Sequence, residues 1–518
     1  MRIAIGQLNF KVGAIAANAE KIIHALQLAR DQHHADLIIF PELALTGYPL
    51  EDLLHRSYLF KVIDSALSKI KSAATGIDVI VGFPEKTTAG IFNSAVWIRE
   101  QKELITYHKQ KLPNYSVFDE LRYFKPGSKS IVIELHGVKF GLLICEDAWY
   151  DDPVSHSADM LITINASPYS IHKFEQRRAV LQKHHKPIIY ANLVGGQDEL
   201  VFDGRSFMMD KSGQVCAQAH AFAEELFVFE LDSAPIPEND MPISAHIYQA
   251  LRLGVKDYVT KNNFPGVLIG LSGGIDSALT LSIAVDALGA DNVTAVFMPS
   301  QYSADISEKD SRQQADMLGV EYQVIPIDDM FQEALKTLAF NTKPTVAEEN
   351  LQARIRGMIL MALSNKTGRL VLSTGNKSEM AVGYSTLYGD MVGGFCVLKD
   401  VFKTMVYQLA NYRNQLSPAI PQRVIDRPPS AELAPNQIDQ DTLPPYDILD
   451  AILNLFIEKD LDVDTIIAQG FDEKIVRKII KMVLKNEYKR RQAPPGVRIS
   501  EKAFGRDRRY PITSGYLV

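Results

Sequence analysis

Short apolar runs, each too brief for a helix and each followed by a helical pattern, constrain this chain more than any other feature. In the first half they are RIAIGQL (2–8), ADLIIF (35–40), DVIVGF (78–83), KFGLLIC (139–145), MLITIN (160–165) and PIIYAN (187–192). In the second half they are GVLIGL (266–271), VTAVFMP (293–299), YQVIPI (322–327) and RLVLST (369–374). Runs without polar alternation are buried on both faces, and strands alternating with helices make parallel sheets that helices cover. Between the halves lies DSAPIPENDMP (232–242), with three prolines and no periodicity. It reads as a linker. The expected organisation is therefore two α/β domains, 1–240 and 241–518, the second opening with a helix over roughly 245–260.

The remaining numbers exclude classes. Hydrophobic residues make up 46% and charged residues 23% of the 518, the balance of an ordinary globular protein. A net charge of −7 argues against nucleic acid or an anionic membrane as the main partner. Three cysteines, Cys145, Cys216 and Cys396, cannot build a disulfide framework, which points to a reducing compartment. No apolar run approaches the ~20 residues of a membrane span, and MRIAIGQLNFKVG has no signal-peptide core. A cytoplasmic protein with no membrane partner is expected. No CxxC, HExxH or GxGxxG occurs.

The stretch GLSGGIDS (270–277) joins an apolar strand to an apolar helix. It lacks the lysine of a Walker A loop. Gly270-Leu271-Ser272-Gly273-Gly274 fits the GxSxG elbow of hydrolases, but that fold needs a histidine downstream, and none follows His246. What remains is an anion nest. Backbone N–H groups of Ser272, Gly273 and Gly274 converge at a helix N-terminus, with Asp276 placed to carry Mg²⁺ beside bound phosphates.

This loop resembles the SGGxDS loop of the ATP-pyrophosphatase ligases, in which the triphosphate is held and attacked at its α-phosphorus. The helical EENLQARIRGMILMALSN (348–365), STGNKSE (373–379), RPPSAELAPNQIDQDTLPPYDILD (427–450) and AFGRDRRYPI (503–512) together resemble the NAD synthetase family over 245–512. The resemblance implies a Rossmann-like parallel-sheet domain that uses ATP and Mg²⁺ to adenylate and amidate nicotinic acid adenine dinucleotide (deamido-NAD). It implies ATP contacts from Gly270, Leu271, Ser272, Gly273, Gly274, Ile275, Asp276 and Ser277, with Thr374, Lys403 and Ser430. It implies dinucleotide contacts from Asn350, Glu379 and Lys489, and metal ligation by Asp276 and Glu379. A ligase of the same superfamily acting on another carboxylate is the alternative.

Amidation needs ammonia, which is mostly protonated at neutral pH, so a local source raises its effective concentration. In the first half, Glu42 ends a strand in LIIFPELALTGYP, Lys109 and Lys111 lie in YHKQKLPNYSVFDELRYF, and Cys145 ends KFGLLIC. Glu, Lys and Cys in this order resemble the nitrilase or carbon–nitrogen hydrolase family, over residues 1 to about 230. The resemblance implies an α-β-β-α sandwich acting as a glutaminase, with Glu42 as base, Cys145 as nucleophile and Lys109 rather than Lys111 as the catalytic lysine. It also implies glutamine contacts from Tyr115, Glu120, Ser167 and Lys173. In that chemistry the thiolate attacks the amide carbon and a neighbouring ammonium favours the thiolate. The longer, glutamine-using NAD synthetases combine both domains, pass ammonia internally and form homo-oligomers. L-Glutamine, ATP and deamido-NAD are thus the expected small-molecule partners, with no nucleic acid.

Overall fold

The computed structural model of the chain describes residues 1–150, 157–237, 241–340, 345–429, 432–434 and 439–516. They form two compact units, Met1–Asp240 and Met241–Val518.

The first unit contains two six-stranded sheets. One runs Glu225–Glu230, Arg2–Gln7, Leu37–Ile39, Asp78–Thr87, Gly90–Arg99, Lys102–His108. The other runs Val215–Gln218, Phe207–Met209, Ile188–Asn192, Met160–Asn165, Val138–Ile144, Val132–Leu135. Each has a parallel centre with antiparallel strands at its edges. Successive side chains of a strand point to opposite faces. Ile3, Ile5, Leu37, Ile39 and Trp97 therefore pack against Phe140, Leu142, Ile162 and Ile164 of the facing sheet. Ala4, Ile38, Val79 and Val81 instead meet Ile22, Leu26, Ile63 and Ile70 of the helices Ile15–Asp31 and Ser57–Ala73. On the far side, Leu161 and Ile188 pack with Phe174 and Leu181 of the helix Lys173–Gln182. The architecture is the α-β-β-α sandwich. Burying each such Ile or Leu contributes about 1.5–3 kcal/mol, which is why both faces of the strands are apolar.

The second unit opens with the helix Ile243–Lys261 and holds a five-stranded, wholly parallel sheet. Its order is Glu321–Val324, Val293–Phe297, Val267–Gly270, Leu370–Ser373, Phe395–Cys396. The first strand of this unit, Val267–Gly270, lies in the middle, because later strands are added first on one side and then on the other. Ligands bind at the carboxyl ends of strands beside such a reversal. The helix Val346–Thr367 crosses those ends. A capping box starts it: Thr345 Oγ1 accepts from the Ala347 amide at 3.2 Å, and Glu348 accepts from the Thr345 amide at 2.7 Å. Behind it, the helices Lys377–Val382, Tyr446–Leu453 and Glu473–Lys485 share a core of Val382, Leu449, Ile452, Ile479 and Ile480.

Candidate active sites

In the first unit, Glu42, Lys109, Glu120 and Cys145 come together from four separate segments. Glu42 follows the strand Leu37–Ile39, Lys109 follows Lys102–His108, and Cys145 follows Val138–Ile144. Each strand thus delivers its residue at its carboxyl end. Lys109 is fully buried, and its Nζ donates to Glu42 Oε1 at 2.7 Å and to Glu120 Oε1 at 2.8 Å. Glu42 also accepts from Asn93 Nδ2 at 2.7 Å and, through Oε2, from the Ala166 amide at 2.8 Å. Tyr48 donates its hydroxyl to Glu120 at 3.0 Å. One ammonium serves two carboxylates, and burial makes that arrangement tight.

The electrostatics follow from that count. Burial disfavours the Lys109 ammonium, but Glu120 and Glu42 outweigh it and hold its pKa well above the usual range. Burial pushes the Glu120 carboxyl up to about 7, with Lys109 pulling it down and Glu42 pushing it further. The Cys145 thiol is also raised well above its usual value, by burial and by Glu42, with Lys109 opposing. Lys109 favours the thiolate, as the resemblance implies, but burial and the carboxylates outweigh it, so the thiol form is favoured until Glu42 takes the proton. Cys145 has φ +48°, a left-handed conformation on the sharp turn between its strand and the short helix Cys145–Trp149.

The other expected residues ring this centre. The Tyr115 hydroxyl donates to Glu146 at 2.9 Å. Ser167 is buried, its Oγ accepting from Arg177 Nε at 3.1 Å. Lys173 Nζ sits 4.9 Å from the Trp149 ring centroid. The Lys111 ammonium lies over the Tyr150 ring instead, 5.3 Å from its centroid. Sequence reasoning missed Asn93, the Ala166 amide and Arg177, which is fully buried with its Nη1 donating to both carboxylate oxygens of Asp203. Asn93 lies inside the strand Gly90–Arg99, where a polar residue looks like one of the outward-facing set.

In the second unit a cavity of about 520 Å³ opens at the carboxyl ends of Val267–Gly270, Val293–Phe297 and Leu370–Ser373. Gly270, Leu271, Ser272, Gly274, Ile275, Asp276, Ser277, Asn350, Thr374, Glu379, Lys403 and Lys489 all line it. The turn depends on Gly273, at φ +81°, where a Cβ would meet the Ser307 carbonyl oxygen at 2.7 Å. Of the nest amides, Ser272 N donates to Ser277 Oγ at 3.2 Å and Gly274 N to Ser272 Oγ at 3.3 Å. These long bonds to hydroxyls are the kind that phosphate oxygens can displace. Ser430 lies outside the described residues.

Opposite the loop, Lys403 Nζ donates to Asp276 Oδ2 and, at 3.4 Å, to Glu379 Oε1. Asn376 Nδ2 donates to Asp276 Oδ1 at 2.9 Å. Burial pushes Glu379 up to about 8, with Lys403 opposing and Asp276 adding to it. Burial lowers the Lys403 pKa, but Asp276 and Glu379 outweigh it and leave it raised. One carboxylate on the loop, Asp276, and a second across from it, Glu379, suit Mg²⁺, a hard cation usually held by one or two carboxylates plus substrate phosphates. Asn350 Oδ1 accepts from the Thr386 hydroxyl at 2.8 Å, and Lys489 Nζ donates to the carbonyls of Gly383 and Ser385, both at 2.7 Å. Sequence reasoning passed over Asp390, Asp439 and Arg356, which line the same cavity. The Tyr-Gly-Asp triplet ending at Asp390 was a signal for the first of them. Burial raises Asp390 to about 6 and also raises Asp439.

Comparison with known proteins agrees with both halves. Residues 2–238 match the carbon–nitrogen hydrolase family model, and residues 247–493 match that of NAD synthase. The chain is 50% identical to the glutamine-dependent NAD(+) synthetase of Acinetobacter baylyi, over 99% of this chain and 98% of that one. It is 43% identical to the enzyme of that name from Aquifex aeolicus, with both chains fully covered. Among solved structures it resembles the glutamine-dependent NAD+ synthetase of Acinetobacter baumannii in complex with adenosine diphosphate. There the identity is 46% and the TM-score 0.80, covering 99% of this chain and 98% of that one. The chain belongs to the glutamine-dependent NAD(+) synthetases.

Proposed function

We propose that this chain makes NAD from deamido-NAD, ATP and L-glutamine, releasing AMP, pyrophosphate and glutamate. The observation that carries it is the presence in one chain of a closed Glu42–Lys109–Cys145 centre and a phosphate-loop cavity faced by Asp276, Glu379 and Lys403.

In the first centre, Cys145 Sγ attacks the side-chain amide carbon of glutamine while Glu42 takes the thiol proton. Lys109, held as an ammonium, stabilises the oxyanion. The C–N bond breaks as Glu42 returns the proton to nitrogen, and ammonia leaves. Water, deprotonated by Glu42, then opens the thioester and releases glutamate and the thiol. Tyr115, Ser167 and Lys173 orient the substrate, and Glu120 keeps Lys109 charged and in place.

In the second centre, the loop Gly270–Ser277 grips the triphosphate of ATP, with Thr374, Lys403 and Ser430 around it. Asn350, Glu379 and Lys489 orient deamido-NAD, whose carboxylate oxygen attacks the α-phosphorus as the bond to pyrophosphate breaks. Ammonia then attacks the acyl carbon and AMP departs. Asp276 and Glu379 would hold Mg²⁺, which neutralises triphosphate charge when bound. The enzyme works in the cytoplasm as a homo-oligomer, and ammonia passes internally from one centre to the other.

The test is NAD formation with glutamine or ammonium as nitrogen source. Cys145→Ala is expected to lose at least about a thousandfold with glutamine and to keep ammonium-driven synthesis within about twofold. No NAD from either source in the unaltered enzyme sinks the reading.

A further inference from the structure

One buried carboxylate beside the thiol takes no part in the chemistry above. Asp147, two residues after Cys145, is 1% exposed. Each of its oxygens accepts two hydrogen bonds. Oδ1 takes the main-chain amides of Gln110 at 3.0 Å and Lys111 at 2.7 Å. Oδ2 takes the Ile144 amide at 3.1 Å and the Tyr107 hydroxyl at 2.9 Å. These donors come from only two places. Tyr107, Gln110 and Lys111 bracket Lys109, and Ile144 immediately precedes Cys145.

The same two places show independent signs of being fixed. A left-handed φ at a non-glycine residue costs about 1–3 kcal/mol and persists only where the surroundings over-determine it. Cys145 is such a residue, and the bond from the Ile144 amide to Asp147 closes over it. Lys109 is held along its own backbone, its amide donating to the Asn93 carbonyl and its carbonyl accepting from the Gly127 amide, both at 2.8 Å. Burial raises the Asp147 carboxyl to about 6, with the bonds from Lys111, Tyr107 and Ile144 opposing, so it is ionised at neutral pH and accepts from all four donors.

We infer that Asp147 is a positioning residue for glutamine hydrolysis: by clasping the Tyr107–Lys111 segment to the Ile144–Cys145 turn, it sets the spacing between the catalytic ammonium and the attacking sulfur. A carboxylate is required because only two acceptor oxygens can serve donors on both sides. An amide in its place turns an N–H₂ towards one pair of donors and opens that side of the clasp. Displacement of a reacting group by about an ångström costs on the order of a hundredfold in rate. The inference rests on the glutaminase reading of this centre.

The experiment uses the full chain with two variants, Asp147→Asn and Tyr107→Phe, the second removing one donor while leaving the charge. Asp147→Asn is expected to lower glutamine-driven kcat by about a hundredfold, with the KM for glutamine within about threefold. Ammonium-driven synthesis stays within about twofold, and alkylation of Cys145 by iodoacetamide slows. Tyr107→Phe gives a smaller loss of the same kind, about three- to tenfold. Unchanged glutamine-driven kcat in Asp147→Asn overturns the inference. So does a loss that merely tracks the fraction of folded protein, read from tryptophan fluorescence. Should Asp147→Asn yield no folded protein, Tyr107→Phe decides, and kcat equal to that of the unaltered enzyme overturns the clasp. Cys145→Ala run alongside separates the two ideas. Retained glutamine-driven turnover there removes the glutaminase reading and the clasp with it. Its loss there, with Asp147→Asn unaffected, removes the clasp alone.

Discussion

The two centres solve one electrostatic problem in opposite ways. Both gather two carboxylates around a lysine, Glu42 and Glu120 around Lys109 in one unit, Asp276 and Glu379 around Lys403 in the other. In the first, lysine and carboxylates are all sealed, the side chains 0%, 1% and 4% exposed. In the second the lysine is covered, but its carboxylates keep 16% and 17% of their surface and face a cavity of about 520 Å³. A reagent that stays with the protein can be sealed in. A surface that must receive a triphosphate and release pyrophosphate at every turnover has to remain open.

The contrast is sharpest in the substitutions that sever one activity. Asp276→Asn is expected to lower NAD synthesis by about a hundredfold or more with either nitrogen source, while glutamate release from glutamine continues. Parallel assays of NAD and glutamate check this, and loss of both activities would mean that the centres are not separable. Next is stability. Lys109→Met strands two sealed carboxylates, at a cost of about 3–5 kcal/mol, whereas Lys403→Met costs less than about 2 kcal/mol because water reaches its partners. Urea unfolding separates these. Both tryptophans, Trp97 and Trp149, lie in the first unit, so their fluorescence reads the cost of Lys109→Met, and far-UV circular dichroism, which also follows the helices of the second unit, reads that of Lys403→Met. Equal costs for the two variants would break the comparison.

Acid titration gives a smaller effect. Glu120 titrates near 7 in the fold and near 4.5 when unfolded. Between those values the native state binds more protons than the unfolded state, so stability falls as pH rises from about 4.5 to 7 and levels off above. The fluorescence midpoint in urea should show that slope, and Glu120→Gln should lessen it, the remainder coming from Asp147, whose carboxyl burial raises to about 6. Least affected is Lys111→Ala, expected within about twofold of full glutamine-driven activity because its ammonium contacts a Tyr150 ring and no catalytic carboxylate. A hundredfold loss would return the catalytic role to Lys111.

The parallel cores were legible because their strands are apolar throughout: MLITIN and PIIYAN became Met160–Asn165 and Ile188–Asn192, and GVLIGL became Val267–Gly270. The antiparallel extension Asp78–Thr87, Gly90–Arg99, Lys102–His108 was read only in its first half. Its later strands have mixed composition, and Lys102, Glu103, Leu104 and Ile105 are exposed. That omission matters for the site, because Lys109 sits at the end of the last of these strands. Its selection over Lys111 came from family resemblance, not from periodicity. Phe395–Cys396, two residues long, gives no periodic signal at all. The SGGIDS turn was legible from its glycines. The link between Asp276 and Lys403 spans 127 residues and appears only when the sheet is assembled.

The raised pKa of Cys145 has a bearing on endurance as well as catalysis. Peroxide and electrophiles attack the thiolate, and a buried thiol presents very little of it at neutral pH. Between turnovers the nucleophile is therefore hard to oxidise to the sulfenic acid and hard to cap. On the proposed mechanism, the proton passes to Glu42 as Cys145 attacks a glutamine amide carbon and returns when the thioester opens, so the reactive form is confined to turnover.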